Sequence, residues 1–272
     1  MKKLLTSVIG LLVVLGCSQK PISTTDDAAP LNVQKLEYSY DKGKLQVGLS
    51  VEFPQEGNEI LRRAISEFIS EYMGGEYDGD IFDGKAMVDF YGKSILDELK
   101  SNYEEEKGMV DDEEYINGFY HTYSIEKVYE NDKLVTFICN ESIYLNGAHG
   151  MENCYGVTFR KSDGRRFSKE MMRNLYDEDM HAIIKKGLRD YFSSVGGEEI
   201  ESDEELKEYI LTDDDVDYLP LPNHEPYIVE DGMQFTYQPY EISFYAAGMP
   251  EFTVPLNEMK PHLTTTAREM LF

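Results

Sequence analysis

The chain has 272 residues and carries 52 Asp and Glu against 26 Lys and Arg, a formal net charge of −26. A surface of that sign repels nucleic acid and anionic lipid headgroups, which excludes a nucleic-acid partner and a membrane contact made by the protein face; cationic partners are its electrostatic complement, and acidity by itself also serves solubility. Twenty tyrosines and thirteen phenylalanines without a tryptophan suit packed sheets and leave room for a tyrosine-lined binding surface.

Residues 1–16 read as a lipoprotein signal peptide. Lys2 and Lys3 precede an apolar run from Leu4 to Leu15 that is short for a membrane span, and Val14-Leu15-Gly16 leads into Cys17. Cys17 is the expected lipidation site, and the polar, proline-bounded residues 17–30 are its flexible tether. Without Lys2 and Lys3 the balance is 24 Lys and Arg to 52 Asp and Glu, a formal −28, so membrane attachment is expected through the acyl chains alone. The expected location is the cell envelope, on the outer membrane facing the periplasm, with the cell surface as the alternative.

Residues 31–110 are expected to form an N-terminal α+β subdomain. The run Lys35–Tyr40, the turn Asp41-Lys42-Gly43-Lys44 and the strictly alternating Leu45–Phe53 predict a β-hairpin ended by Pro54. Helical spacing of apolar residues follows from Asn58 to Met73, stopped by Gly74-Gly75, and again from Gly84 to Glu106. Residues 111–263 are expected to form a second α+β domain, beginning with an antiparallel meander from Tyr115 to Phe167. Ser168 is a candidate helix N-cap, and Asp179 to Phe192 is an amphipathic helix ending near Gly196-Gly197. Glu198 to Leu211 forms at most a short helix. Asp213, Asp214, Asp215 and Asp217 lack the alternation, glycine and closing glutamate of a calcium loop and read as a solvated turn. Strands are predicted at Pro226–Val229, Asp231–Tyr237 and Glu251–Val254, the last ended by Pro255, and residues 264–272 are a tail. The predicted class is α+β, with antiparallel sheets and packed helices in two subdomains.

The central hairpin of the meander connects through Ile143-Tyr144-Leu145-Asn146-Gly147-Ala148-His149-Gly150. Asn146-Gly147 is a strong turn dipeptide because both residues tolerate positive φ, and Gly150 lets the backbone pass close to a neighbour. Cys139 and Cys154 flank this connection, and disulfides persist in exported proteins. A bridge would contribute roughly 3 kcal/mol, whereas a register slip of one residue would put the two side chains on opposite faces. Both a disulfide and a pair of free thiols remain open.

The five histidines, His121, His149, His181, His224 and His262, show no ligand spacing and no His-Glu-x-x-His, so no metal and no cofactor are predicted. No Gly-x-Ser-x-Gly elbow or phosphate-cradling glycine loop occurs. His149 could pair with Glu141 or Glu152 as acid and base. A histidine between alanine and glycine is explained more simply by hydrogen bonding that fixes its own turn, and no catalytic residue is assigned.

Two separate motifs, Tyr144-Leu145-Asn146-Gly147-Ala148-His149-Gly150 and Tyr237 through Gly248, occur in the order and spacing of the RsiV-like family, which the chain resembles over roughly residues 112–262. The resemblance implies an extracytoplasmic α+β module that binds rather than catalyses. The best-known member is an anti-sigma factor that senses lysozyme directly, and others are fused to polysaccharide deacetylases. This chain has a lipidated cysteine in place of the cytoplasmic segment and membrane helix, and lacks a Thr-Phe-Asp-Asp metal motif. The resemblance therefore implies a lipid-anchored envelope binding protein recognising a basic, lysozyme-like cell-wall hydrolase or a wall glycan. A peptidoglycan- or polysaccharide-modifying enzyme and an envelope signalling or structural subunit are the alternatives. Asn146, Gly147, His149, Gly150, Tyr240, Tyr245 and Gly248 are the candidate functional or structural residues. The loop at 147–150 is expected to pack near Tyr245–Gly248, whose small residues would admit it.

Overall fold

The computed structural model describes residues 29–211 and 218–272. The predicted signal peptide, Cys17, most of the tether and the acidic run from Asp213 to Asp217 lie outside the described residues. Strands β1 (Asn32–Lys42) and β2 (Leu45–Glu56) form the first hairpin, turned at Gly43 with φ 64°. The alternation in β2 buries Val47, Leu49, Val51 and Phe53. Contrary to expectation, β2 does not end at Pro54 but continues to Glu56. Pro54 pairs with Val33 beside a bulge, and β2 meets its other neighbour only as far as Val51, so no second strand needs the amide hydrogen that proline lacks.

Helix α1 (Glu59–Tyr72) begins where Asn58 accepts a hydrogen bond from the Ile60 amide at 2.9 Å, and it buries Leu61, Ile65, Phe68 and Ile69. The chain leaves it through Gly74 and Gly75, both at positive φ. Helix α2 (Gly84–Met109) is capped by Asp83. Together the helices form a crossover, and β3 (Phe119–Glu130) therefore pairs parallel with β2. The meander continues antiparallel through β4 (Leu134–Leu145) and β5 (Met151–Arg160), giving the sheet order β1-β2-β3-β4-β5. One hydrophobic core fills the space between these five strands and helices α1 and α2.

A second core gathers α3 (Glu178–Gly196), the short α4 (Asp203–Lys207), and a three-stranded sheet of β6 (Tyr227–Val229), β7 (Gly232–Thr236) and β8 (Glu251–Val254), with α5 (Leu256–Met259) and α6 (Thr265–Leu271). Gly187 of α3 leaves room for the Phe252 ring of β8, where any Cβ would collide. The two layers meet through buried polar groups: the Thr136 and Thr158 hydroxyls lie 2.8 Å apart, and Thr158 Oγ1 accepts from the Ile228 amide at 2.8 Å. The mixed α+β class holds, with mostly antiparallel sheets.

The division between cores differs from the expected boundary at 110/111. That position lies between α2 and β3, within the unit that builds the first sheet; the cores separate mainly after β5. Ser168 opens only a 3-10 turn and makes no side-chain cap. The tail at 264–272 is largely helical and packed, with Ala267, Met270 and Leu271 in the second core. Where the predicted tether enters the fold, Lys161 donates to the Ala29 carbonyl and to Glu130, each at 2.8 Å, and Lys127 donates to the Leu31 carbonyl at 2.9 Å. Among the described residues no helix is long and apolar enough to cross a membrane.

The β4–β5 register answers the cysteine question. Cys139 lies opposite Tyr155, and Cys154 lies opposite Asn140. Directly opposed residues share a face and successive residues alternate, so the two sulfurs point to opposite faces of the sheet. The cysteines are free thiols, and the bridge left open by the sequence is not formed.

Candidate functional site

The β4–β5 connection and the segment after β7 meet at one end of the molecule. Asn146 turns the chain at φ 59°; Gly147, expected to share that role, is not at positive φ. Asn146 Oδ1 accepts from the Asn117 amide at 2.7 Å, and its Nδ2 donates to Glu106 at 3.2 Å, tying the tip to the end of α2. The Gly147 carbonyl accepts from the Tyr144 hydroxyl at 3.0 Å. Gly150 passes so close to Tyr120 that a Cβ would lie 2.6 Å from its hydroxyl oxygen, the close approach that the sequence suggested.

The opposing wall is a turn built from Gln238-Pro239-Tyr240-Glu241. The Glu241 amide donates to the Gln238 carbonyl at 3.0 Å, and Tyr240 has φ 65°. Proline in the second position presets the turn, while the left-handed third position is one that glycine or asparagine normally takes. A tyrosine there stores backbone strain. Gln238 fastens the turn to β5: its amide nitrogen donates to the Cys154 carbonyl at 2.6 Å, and its oxygen accepts from the Cys154 amide at 3.0 Å. One side chain thus satisfies both backbone groups of an edge-strand residue.

Between these walls His149 is held on three sides. Its ring stacks on Tyr245 with centroids 3.9 Å apart and planes at 22°. Its Nδ1 lies 2.7 Å from the Gly150 carbonyl oxygen, and its Nε2 lies 3.2 Å from the Tyr240 hydroxyl. The carbonyl requires Nδ1 to carry a proton, and in that tautomer of the neutral ring Nε2 accepts from Tyr240. The Tyr245 hydroxyl also donates to the Gly150 carbonyl, at 2.8 Å. His149, Tyr240 and Phe244 are exposed, as are Leu145 and Met151 at the ends of the flanking strands. The result is a solvent-facing group of rings and apolar side chains on a fixed turn, a composition suited to recognition.

The structure therefore brings His149, Gly150, Tyr240 and Tyr245 together, with Asn146 and Gly147 supporting them. Gly248 stands apart. The small residues at 246–248 accommodate Tyr191 of α3, whose hydroxyl donates to the Ala247 carbonyl at 2.7 Å and would lie 3.0 Å from a Cβ at position 248. The expected contact between loop and segment exists, but the tyrosines make it.

Neither carboxylate considered for His149 bonds to it. Glu141 instead lies 2.8 Å from His121 Nε2 and accepts from the Tyr123 hydroxyl at 2.7 Å and from Asn153 at 3.1 Å. The His121 hydrogen bond, with those from Tyr123 and Asn153, holds the Glu141 carboxyl down at about 2 against the cost of burial. Burial, aided by Glu141, pushes the Tyr123 hydroxyl well above its ordinary range. Burial raises Cys154 to about 11 and Cys139 well above the usual thiol value, so both stay protonated and poorly nucleophilic at neutral pH. This network joins residues far apart in sequence, and the alternation that puts His121 and Tyr123 on one strand face is the only local signal of it. Beside it, a cleft of about 410 Å³ lies between Tyr72 of α1, Tyr155 of β5, Arg166 and His224, with His224 stacked on Tyr155 at 4.5 Å. No group of three or more His, Cys, Asp or Glu among the described residues could hold a metal ion.

A two-layer α+β scaffold carrying a constrained aromatic tip is the class these features define. Residues 170–257 match the family model described as "Protein of unknown function (DUF3298)", a span that includes Tyr240, Tyr245 and Gly248. The chain is similar in fold to the crystal structure of a DUF3298 family member from Bacteroides fragilis, at 19% identity and TM-score 0.68, covering 91% of this chain and 99% of that one. It is also similar to the structure of a DUF3298 family protein from Pseudomonas aeruginosa, at 12% identity and TM-score 0.60, covering 88% and 97%. No curated protein matches the chain.

Proposed function

We propose that the protein is a lipid-anchored envelope binding protein, held through Cys17 at the outer membrane facing the periplasm, and that its tip around His149, Tyr240 and Tyr245 recognises a basic, lysozyme-like cell-wall hydrolase. The observation that carries the reading is Tyr240. A bulky ring is held at a strained backbone position, bonded to His149 and left exposed at 49%, where glycine would serve the turn alone. Strain of this kind persists where the surrounding structure and a function require it. The RsiV-like resemblance over both motifs supports the reading, and so does the charge of −26, which attracts a cationic partner over long range and speeds encounter at low salt.

Isothermal titration with a basic c-type lysozyme tests this. Binding that weakens with salt and inhibits the hydrolase is expected, and Tyr240→Ala should reduce affinity by at least about tenfold, within the range of an aromatic anchor. No heat and no inhibition at low salt would sink the hydrolase partner. Binding to wall glycan alone would favour the glycan, and clearing of wall substrate lost in a folded His149→Ala variant would favour an enzyme.

A further inference from the structure

Strand β1 ends the five-stranded sheet, and among the described residues no strand pairs with its outer side. An edge of 11 residues is a template for another strand unless something guards it. The hairpin fixes which groups are offered. In a two-residue turn the closing pair, here Lys42 and Leu45, exchanges both backbone hydrogen bonds. Lys42, Tyr40, Tyr38 and Leu36 thus direct their amides and carbonyls toward β2. Asp41, Ser39, Glu37 and Lys35 direct theirs outward. Leu36 and Tyr38 have their side chains on the α2 face, where Tyr38 fills the space that Gly92 leaves and Leu36 abuts Gly84. Lys35, Glu37, Ser39 and Asp41 are exposed on the other face.

The charge here departs from that of the whole molecule. The chain carries twice as many acids as bases. Yet in β1 Lys35 and Lys42 balance Glu37 and Asp41, and along residues 85–100 of α2 Lys85, Lys93 and Lys100 balance Asp89, Asp97 and Glu98. Asp80 and Asp83 add two acids beside Lys35 at one end of the strip, so it is less acidic than the molecule as a whole, and two copies can approach edge to edge there with less repulsion than other orientations bring.

We propose that β1 is the two-fold interface of a homodimer, paired antiparallel with β1 of a second copy about Tyr38. Outward-facing residues must oppose outward-facing residues, so the axis passes through a residue. An axis at Glu37 sets that carboxylate against itself, and one at Ser39 sets Glu37 against the partner's Asp41. An axis at Leu36 satisfies the charges but places Gln34 opposite the partner's Tyr38 and carries the pairing into the bulge at Asn32 and Val33. An axis at Tyr38 places Lys35 opposite the partner's Asp41 twice over and Leu36 opposite the partner's Tyr40, keeping charged pairs on one face and apolar pairs on the other. A groove of about 550 Å³ beside Lys35, lined also by Asp80 and Asp83, then receives the partner's Lys42.

Sedimentation velocity over a range of protein concentrations tests the interface. Wild type should sediment at twice the mass of one chain. Lys35→Glu and Asp41→Lys should each weaken the dimer about tenfold or more, since each replaces two attractive pairs by two repulsive ones, and the double variant should restore it. Ser39→Pro should give a monomer with an unchanged circular dichroism spectrum, because it removes an outward amide and leaves the bonds to β2. A wild-type monomer at every concentration would overturn the proposal, as would a dimer indifferent to Ser39→Pro and to the single charge reversals. Failure of the double reversal to restore the dimer would overturn the Tyr38 axis.

Discussion

Tyr240 at φ 65° separates a structural from a functional demand at one position. If the turn were all that mattered, glycine would be the better residue. Tyr240→Gly and Tyr240→Ala remove the same hydrogen bond to His149, but only alanine keeps a Cβ in the left-handed region. The glycine variant should therefore be more stable than the alanine variant by about 1 kcal/mol in urea unfolding, while both lose partner binding. Equal stabilities would mean that the backbone at Tyr240 is unstrained. Glu141 gives a second test at this scale, through pH. Its carboxyl, ordinarily near 4.5, is depressed to about 2 by the hydrogen bonds from His121, Tyr123 and Asn153. A depressed carboxyl stabilises the fold fully above its unfolded value and loses that contribution as pH falls toward the folded one. Wild type should lose on the order of 2–3 kcal/mol between about pH 4.5 and pH 2 through this group. Glu141→Gln should be less stable at pH 7 and show a flatter decline across that window. Parallel urea titrations at several pH values would show whether the two curves converge in acid.

At the scale of elements, the contact that forms the site is a turn fastened to an edge strand. Gln238 is bonded to both backbone groups of Cys154, so Gln238→Ala should cost about 1–2 kcal/mol and speed amide exchange at Cys154, detaching the Tyr240 turn from the hairpin tip. Unchanged exchange there would mean that another contact holds the turn. Much of this level was legible in the sequence. Alternation located β2, the turn at Asp41–Lys44 marked β1 as its hairpin partner, apolar spacing located α1 and α3, and Asn146 marked its turn. Local signals failed where the decisive partner was distant. Nothing within β2 announces a parallel neighbour some seventy residues later, although the two intervening helices are the crossover such pairing requires. Pro54 taken by itself marks a strand end; with only one strand beside it, the missing amide costs little. The motif pair 144–150 and 237–248 foretold proximity but not its means, because small residues suggest close packing without naming the side chain that fills the space.

At the scale of the whole molecule, two cores share the five-stranded sheet, one on each side of β4 and β5. This is why the division of the cores does not fall at position 110/111, near which the family resemblance begins. The shared sheet also gives the aromatic tip its rigidity: His149 leaves from the end of β4 and β5, Tyr240 and Tyr245 leave from β7, and Gln238 bridges the two layers. Net charge acts on a longer range than any of these contacts, and in the function proposed above it sets which partners approach while the tip decides which of them stay. Hydrogen-exchange mapping of the protein with and without a basic c-type lysozyme tests that assignment most directly. The account predicts slowed exchange confined to residues 145–151 and 238–245, with little change along the rest of the five-stranded sheet; protection at a different surface, or none at saturating partner, would contradict it.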